Sequence, residues 1–160
     1  MTGVLVFVPV APGQAASLLR DGSLPGCQAF SVTPALRETL GHGPAEAEDS
    51  EYACLVLASV HGLATHGRRL VLVAEVAPAT VKPGEETENG GVRLTGLARS
   101  SVRSFFTDED PQPLAEAAAT AIRGMGLDQA WETEQVQALV RGADLLWHAV
   151  EELPILGEDV

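Results

Sequence analysis

The chain is poor in lysine, in aromatic residues and in cysteine, and each shortage excludes a class of function. Lys82 is the only lysine, and the 10 Lys and Arg face 22 Asp and Glu, a formal charge of −12. Sequence-independent nucleic-acid binding needs clustered cations that neutralise phosphates and release counterions, so nucleic acid is not an expected partner. The adjacent pair Arg68-Arg69 is too short to reverse this and reads as a solvated turn entering a strand. Cys27 and Cys54 form no CxxC and give no disulfide framework, which leaves the cytoplasm as the default setting, with both thiols reduced. The longest apolar runs, Val4 to Val10 and Leu70 to Val76, fall far short of the ~20 residues of a membrane-spanning helix. No positive charge precedes the first run and no small-residue cleavage pattern follows it, so no secretory signal is expected.

Catalytic signatures are equally scarce. There is no GxSxG, no glycine-rich phosphate loop ending in Lys-Ser/Thr and no GxGxxG after a strand. His42, His61, His66 and His148 show neither HxH nor HxxxH spacing, and neither cysteine lies at a zinc-ligand interval from them. Cys54 falls among Leu55, Val56 and Leu57 and reads as an inert buried thiol. His61 and His66 straddle the expected end of a helix, whose last carbonyls they could bond.

What the chain does have is enough apolar material for one core. Its 160 residues are 46% hydrophobic and 20% charged, which suits a single globular domain over 1–160. Aromatics are only 4% of residues, so Phe105, Phe106, Trp131 and Trp147 are expected to anchor packing. The excess of arginine over lysine, with isoleucine only at Ile122 and Ile155, reflects a GC-rich coding sequence.

Hydrophobic periodicity and turn residues divide the chain as follows. Val4 to Val10 is apolar on both faces, as in a strand buried within a sheet. Pro12 and Gly13 break it, and Ala15 to Leu19 form a short helix ended by Asp21-Gly22. Gln28 to Thr33 reads as a strand, and Pro34 to Leu40 as a helix capped by Thr33 and closed by Gly41. Ala45 to Leu63 is the strongest helix. Its acidic residues come early, and its apolar arc is so wide that Tyr52, Leu55, Val56 and Val60 are expected to be buried. Arg69 to Val76 is a strand, and Pro78 to Gly91, rich in Pro, Gly and Glu, reads as a mobile loop. Val92 to Leu97 and Val102 to Thr107 follow, and the short connection between them suggests a hairpin. Asp110 is expected to cap a helix starting near Pro111 and Pro113, and Asp128 a further helix reaching about Arg141. Asp144 to Val150 is the last strand, and the tail from Glu151 ends in a turn or helix. No repeat of 20 to 50 residues is present. The expected fold is α+β (or α/β), a single mixed β-sheet of about six strands with helices on at least one face.

Asp108-Glu109-Asp110 follows an apolar strand, where open sheets hold magnesium or an acid catalyst, so Asp108 and Asp110 are the alternative metal ligands. The competing reading is a helix entrance whose carboxylates face the positive end of the dipole.

The segments Val4-Leu5-Val6-Phe7-Val8-Pro9, Ala29 to Arg37, Glu51-Tyr52-Ala53 and Asp144-Leu145-Leu146-Trp147 together resemble a family of uncharacterised actinobacterial proteins. The resemblance covers nearly the whole chain and implies a cytoplasmic bacterial protein of a family without an assigned activity. Where that family carries an aromatic after the tryptophan, this chain has His148. The same segments suggest a ligand pocket from Thr33, Arg37, Glu51, Tyr52 and Trp147, since small-ligand sites combine polar groups with aromatics. Each also has a structural role to compete with: Thr33 as a cap, Arg37 paired with Glu38 or Glu51, Tyr52 and Trp147 in packing.

With no catalytic constellation in view, the first expectation is a non-enzymatic cytoplasmic binding or protein-interaction protein. It would have no cofactor, its partner would be a protein or a small molecule, and a homodimer is admissible. The alternative is a small carboxylate- or magnesium-dependent hydrolase or transferase using Arg37. The acidic balance alone suggests a third, an antitoxin-like protein whose surface mimics nucleic acid.

Overall fold

A computed structural model describes residues 3–154. The first strand, β1 (Val4–Pro9), alternates Val4, Val6 and Val8 with Leu5 and Phe7, and lies inside the sheet, as its two apolar faces require. Pro12 and Gly13 do not separate strand from helix but open α1 (Pro12–Asp21), because a proline costs nothing in a first turn whose N–H groups have no partner. Gly22 closes α1 at φ 79°. The second strand, β2 (Ser23–Phe30), begins five residues before the expected Gln28, running through Pro25 and Gly26. Helix α2 (Pro34–Leu40) has Thr33 as its cap, with Oγ1 accepting from Leu36 N at 3.1 Å. Next come α3 (Ala47–His66), β3 (Leu70–Val76), β4 (Val81–Pro83), β5 (Gly91–Ala98) and β6 (Val102–Thr107).

Helices α4 (Pro113–Ile122), α5 (Leu127–Trp131) and α6 (Glu134–Gly142) precede the last strand, β7 (Leu146–Ala149). Two caps differ from expectation. Gln112, not Asp110, caps α4 by accepting from Leu114 N. The single helix expected from Asp128 is divided, because Thr133 starts α6 afresh by accepting from Val136 N. Of the tail, Val150–Glu152 forms a 3-10 turn, and 155–160 lie outside the described residues.

The fold is α+β. The sheet has seven strands in the order β4-β5-β2-β1-β3-β6-β7, and every pairing is antiparallel, so it is not mixed and exceeds the expected six by one. The added strand is β4, from the segment read as a loop. Val81-Lys82-Pro83 is too short to show a period, and its proline is tolerated because β4 lies at the edge, paired only with β5. Pro78–Thr80 and Thr87–Asn89 form 3-10 turns, and the Gln28 amide donates to Glu85 O at 2.7 Å.

β5 and β6 are not a hairpin, since β2, β1 and β3 separate them. β5 ends beside the start of β2 (Ser23↔Ala98), and β6 starts beside Ala74 near the end of β3. On a flat sheet four strand spacings would come to about 19 Å, whereas the four Cα steps from Ala98 to Val102 reach only about 14 Å. The sheet must therefore curl over one face. The bend lies where β1 and β2 part, their register being confined to Phe7↔Phe30.

Curling divides the core in two. Val6, Val8, Val10, Leu70, Leu72, Leu94, Leu97 and Phe105 line the inner face, which α1 closes with Ala15 and Leu18. The residues between them, Phe7 and Val71, point the other way and pack with Phe30 against Leu55, Ala58 and Leu63 of α3, Ile122 of α4 and Leu139 of α6. The period-2 alternation of β1 and β3 thus feeds two separate clusters.

One charge is carried deep inside. Arg69, expected as half of a solvated pair, is only 2% exposed. Its Nε donates to Asp108 Oδ2 at 2.9 Å, one terminal nitrogen donates to the other Asp108 oxygen, and the same nitrogen donates to Ala143 O at 3.1 Å. The pair links the start of β3, the end of β6 and the end of α6.

Candidate functional site

Tyr52 is 61% exposed, against the expectation that α3 buries it with Leu55, Val56 and Val60, which are indeed buried. Apolar residues run round most of α3, which packs against the sheet, α2, α4 and α5, yet these neighbours leave Tyr52 uncovered. The uncovered face forms one wall of a groove of about 650 Å³. Tyr52, Ala53, Val56 and Leu57 line it from α3, Thr39 and Leu40 from α2, and Leu127, Asp128, Trp131 and Glu132 from α5 and its end. Val140 of α6 and the buried Asn89 complete it.

The segment before β5 fixes this geometry. Glu86, at φ 59°, accepts from Leu127 N at 2.8 Å with one carboxylate oxygen and from the Asn89 amide at 3.3 Å with the other. A glycine, Gly126, stands at the cap position of α5, so Glu86 supplies from across the fold the acceptor that α5 lacks locally. The Asn89 amide also donates to Asp128 Oδ1 at 3.2 Å. Sequence reasoning missed Trp131, Asp128 and Asn89 as site residues. The only signal for them was Glu-Glu-Thr-Glu-Asn-Gly-Gly, which reads as a turn and gives no hint of a distant helix start.

The five residues proposed from sequence come to rest in separate places. Thr33 caps α2. Arg37 and Glu51 both line a second cleft of about 610 Å³, together with Val32, Gly43 and Pro44, and the buried Ser31 and Ser50 lie in its wall. Among the described residues neither Arg37 nor Glu51 forms an ion pair, with each other or with Glu38. Beside this cleft His42 Nδ1 lies 2.8 Å from Ser50 Oγ. Tyr52 belongs to the groove on the other side of α2. Trp147 lies on the edge strand β7, 60% exposed, away from both.

The remaining titratable groups are quiet. Both oxygens of Asp108 are engaged by Arg69, and among the described residues no three His, Cys, Asp or Glu side chains are grouped to hold a metal ion. Burial, reinforced by the charge of Glu51, pushes the Cys54 thiol up to about 12, so it has no thiolate character at neutral pH. Burial raises the Cys27 thiol too, opposed by Arg93. It also lowers His61, against the pull of Glu86 and Glu85, and His61 packs its ring against Phe30 rather than bonding helix carbonyls.

A family model described as a family of unknown function, DUF6912, matches residues 4–156. Comparison with curated proteins and with solved structures yields no match. The chain belongs to the DUF6912 family.

Proposed function

We propose that this member of a family of unknown function is a non-enzymatic binding protein that takes a small ligand with an apolar body in the groove beneath Tyr52. The observation that carries the reading is Tyr52 itself, held 61% exposed at an apolar-walled concavity in a chain with one tyrosine and two tryptophans. Leaving so large a ring in water forgoes the burial it could have had in the core. The groove volume falls within the ~300–1,000 Å³ of small-molecule sites, and its pattern of apolar wall with a few fixed polar groups is theirs as well. The cytoplasmic and actinobacterial setting belongs to the same reading, supported by the two free, buried thiols and the arginine-rich, lysine-poor composition.

Trp131 provides the test. Replacing the exposed Trp147 by Phe leaves Trp131 as the only tryptophan, and saturable changes in its emission on titrating small aromatics, both charged and uncharged, should report occupancy. Emission that stays unchanged across such a panel, with no thermal stabilisation, would count against the groove as a site.

A further inference from the structure

The groove beneath Tyr52 is lined by charge of one sign. Asp128 and Glu132 stand on it, and no lysine, arginine or histidine does. Among the described residues neither carboxylate forms an ion pair. Asp128 is held in place through Oδ1 by the amide of Asn89, itself 7% exposed, while its other oxygen is engaged by no described residue. The remaining lining is apolar, from Leu40, Val56, Leu57 and Leu127, with the two aromatic side chains of Tyr52 and Trp131.

We infer that the ligand is a small organic cation, an ammonium group carried on an apolar body. The inference rests on the groove being the binding site and adds the charge of what it takes. Three features select for that charge together. Aromatic faces attract a cation through the negative face of the ring, most strongly when the cation is alkylated and sheds water readily. Two unpaired carboxylates at the rim add a Coulombic attraction that an anionic ligand would feel as repulsion. The apolar wall rewards burial of the body, so a bare metal ion gains nothing from it, and a neutral ligand uses the wall but not the carboxylates.

The experiment uses the Trp147→Phe protein and three probes of similar size: benzyltrimethylammonium, its uncharged isostere neopentylbenzene, and phenylacetate. Trp131 emission should show the cation binding at least about tenfold more tightly than the isostere, and phenylacetate most weakly. Asp128→Asn, which keeps the bond to Asn89, should weaken the cation severalfold and leave the isostere unchanged, and Tyr52→Leu, at an exposed position, should weaken the cation by a larger factor than the isostere. Equal affinities for cation and isostere would overturn the inference while leaving the groove as a site. Failure of all three probes to change the emission would overturn both.

Discussion

Arg69 holds its charge at only 2% exposure, and this is sustainable because both oxygens of Asp108 and the Ala143 carbonyl accept from its Nε and one terminal nitrogen. Removing either partner strands the other, so Arg69→Met or Asp108→Leu alone should cost roughly 3–5 kcal/mol in urea unfolding, while the double substitution should cost less than either single change. At the half-buried Thr33 the expectation is milder. Thr33→Ala should lose about 1 kcal/mol with the α2 cap, which separates its structural role from any role in the cleft beside it. Cys54 makes a prediction in pH. Its folded value of about 12 lies above the ordinary 9.0, so the folded state holds its proton where the unfolded chain gives it up. The stabilising contribution is complete below pH ~9 and declines as pH rises toward ~12. Denaturation midpoints measured across that window should fall more steeply for the native chain than for Cys54→Ala.

Among the elements, α3 shows how much the sequence reveals. The width of its apolar arc correctly places Leu55, Val56 and Val60 in the core, because periodicity records which residues avoid water. It cannot say which part of an arc the neighbouring elements leave uncovered, and Tyr52 falls in that part. Leu55→Ala should therefore cost roughly 2–5 kcal/mol through the cavity it opens, and Tyr52→Ala under about 1 kcal/mol, in the same urea titration. Strands and helices with a strong local signal were legible: α2 falls at Pro34–Leu40 and β6 at Val102–Thr107, as read. Whatever depended on distant partners was not. β4 exists because β5 offers it an edge, α5 takes its acceptor from Glu86, and Arg69 is buried because Asp108 is beside it. The candidate site followed the same rule, with Arg37 and Glu51 brought to one cleft across a short helix connection and Trp147 sent to the far edge by strand order.

At the scale of the whole molecule, the curled sheet carries α1 against its inner face and the later helices on its outer one, and apart from Asp108 most acidic side chains are left to the surface and its grooves. A formal charge of −12 on 160 residues makes the folded state repel itself, since folding brings those charges closer than in the extended chain. The same carboxylates would attract a cationic ligand to the groove, where Asp128 and Glu132 are exposed. Salt screens both effects, and at 0.1 M the Debye length is already about 10 Å. The two consequences have opposite signs. Raising sodium chloride from about 10 mM to about 200 mM should raise the thermal midpoint by relieving self-repulsion, and over the same range should weaken benzyltrimethylammonium binding by screening its attraction. The buried Arg69–Asp108 pair should respond little, because solvent ions cannot reach it. A midpoint that fell with salt would show that favourable surface pairs outweigh repulsion. Cation affinity unmoved by salt would place its recognition in the aromatic side chains alone, and Tyr52→Leu would then be the substitution that abolishes it.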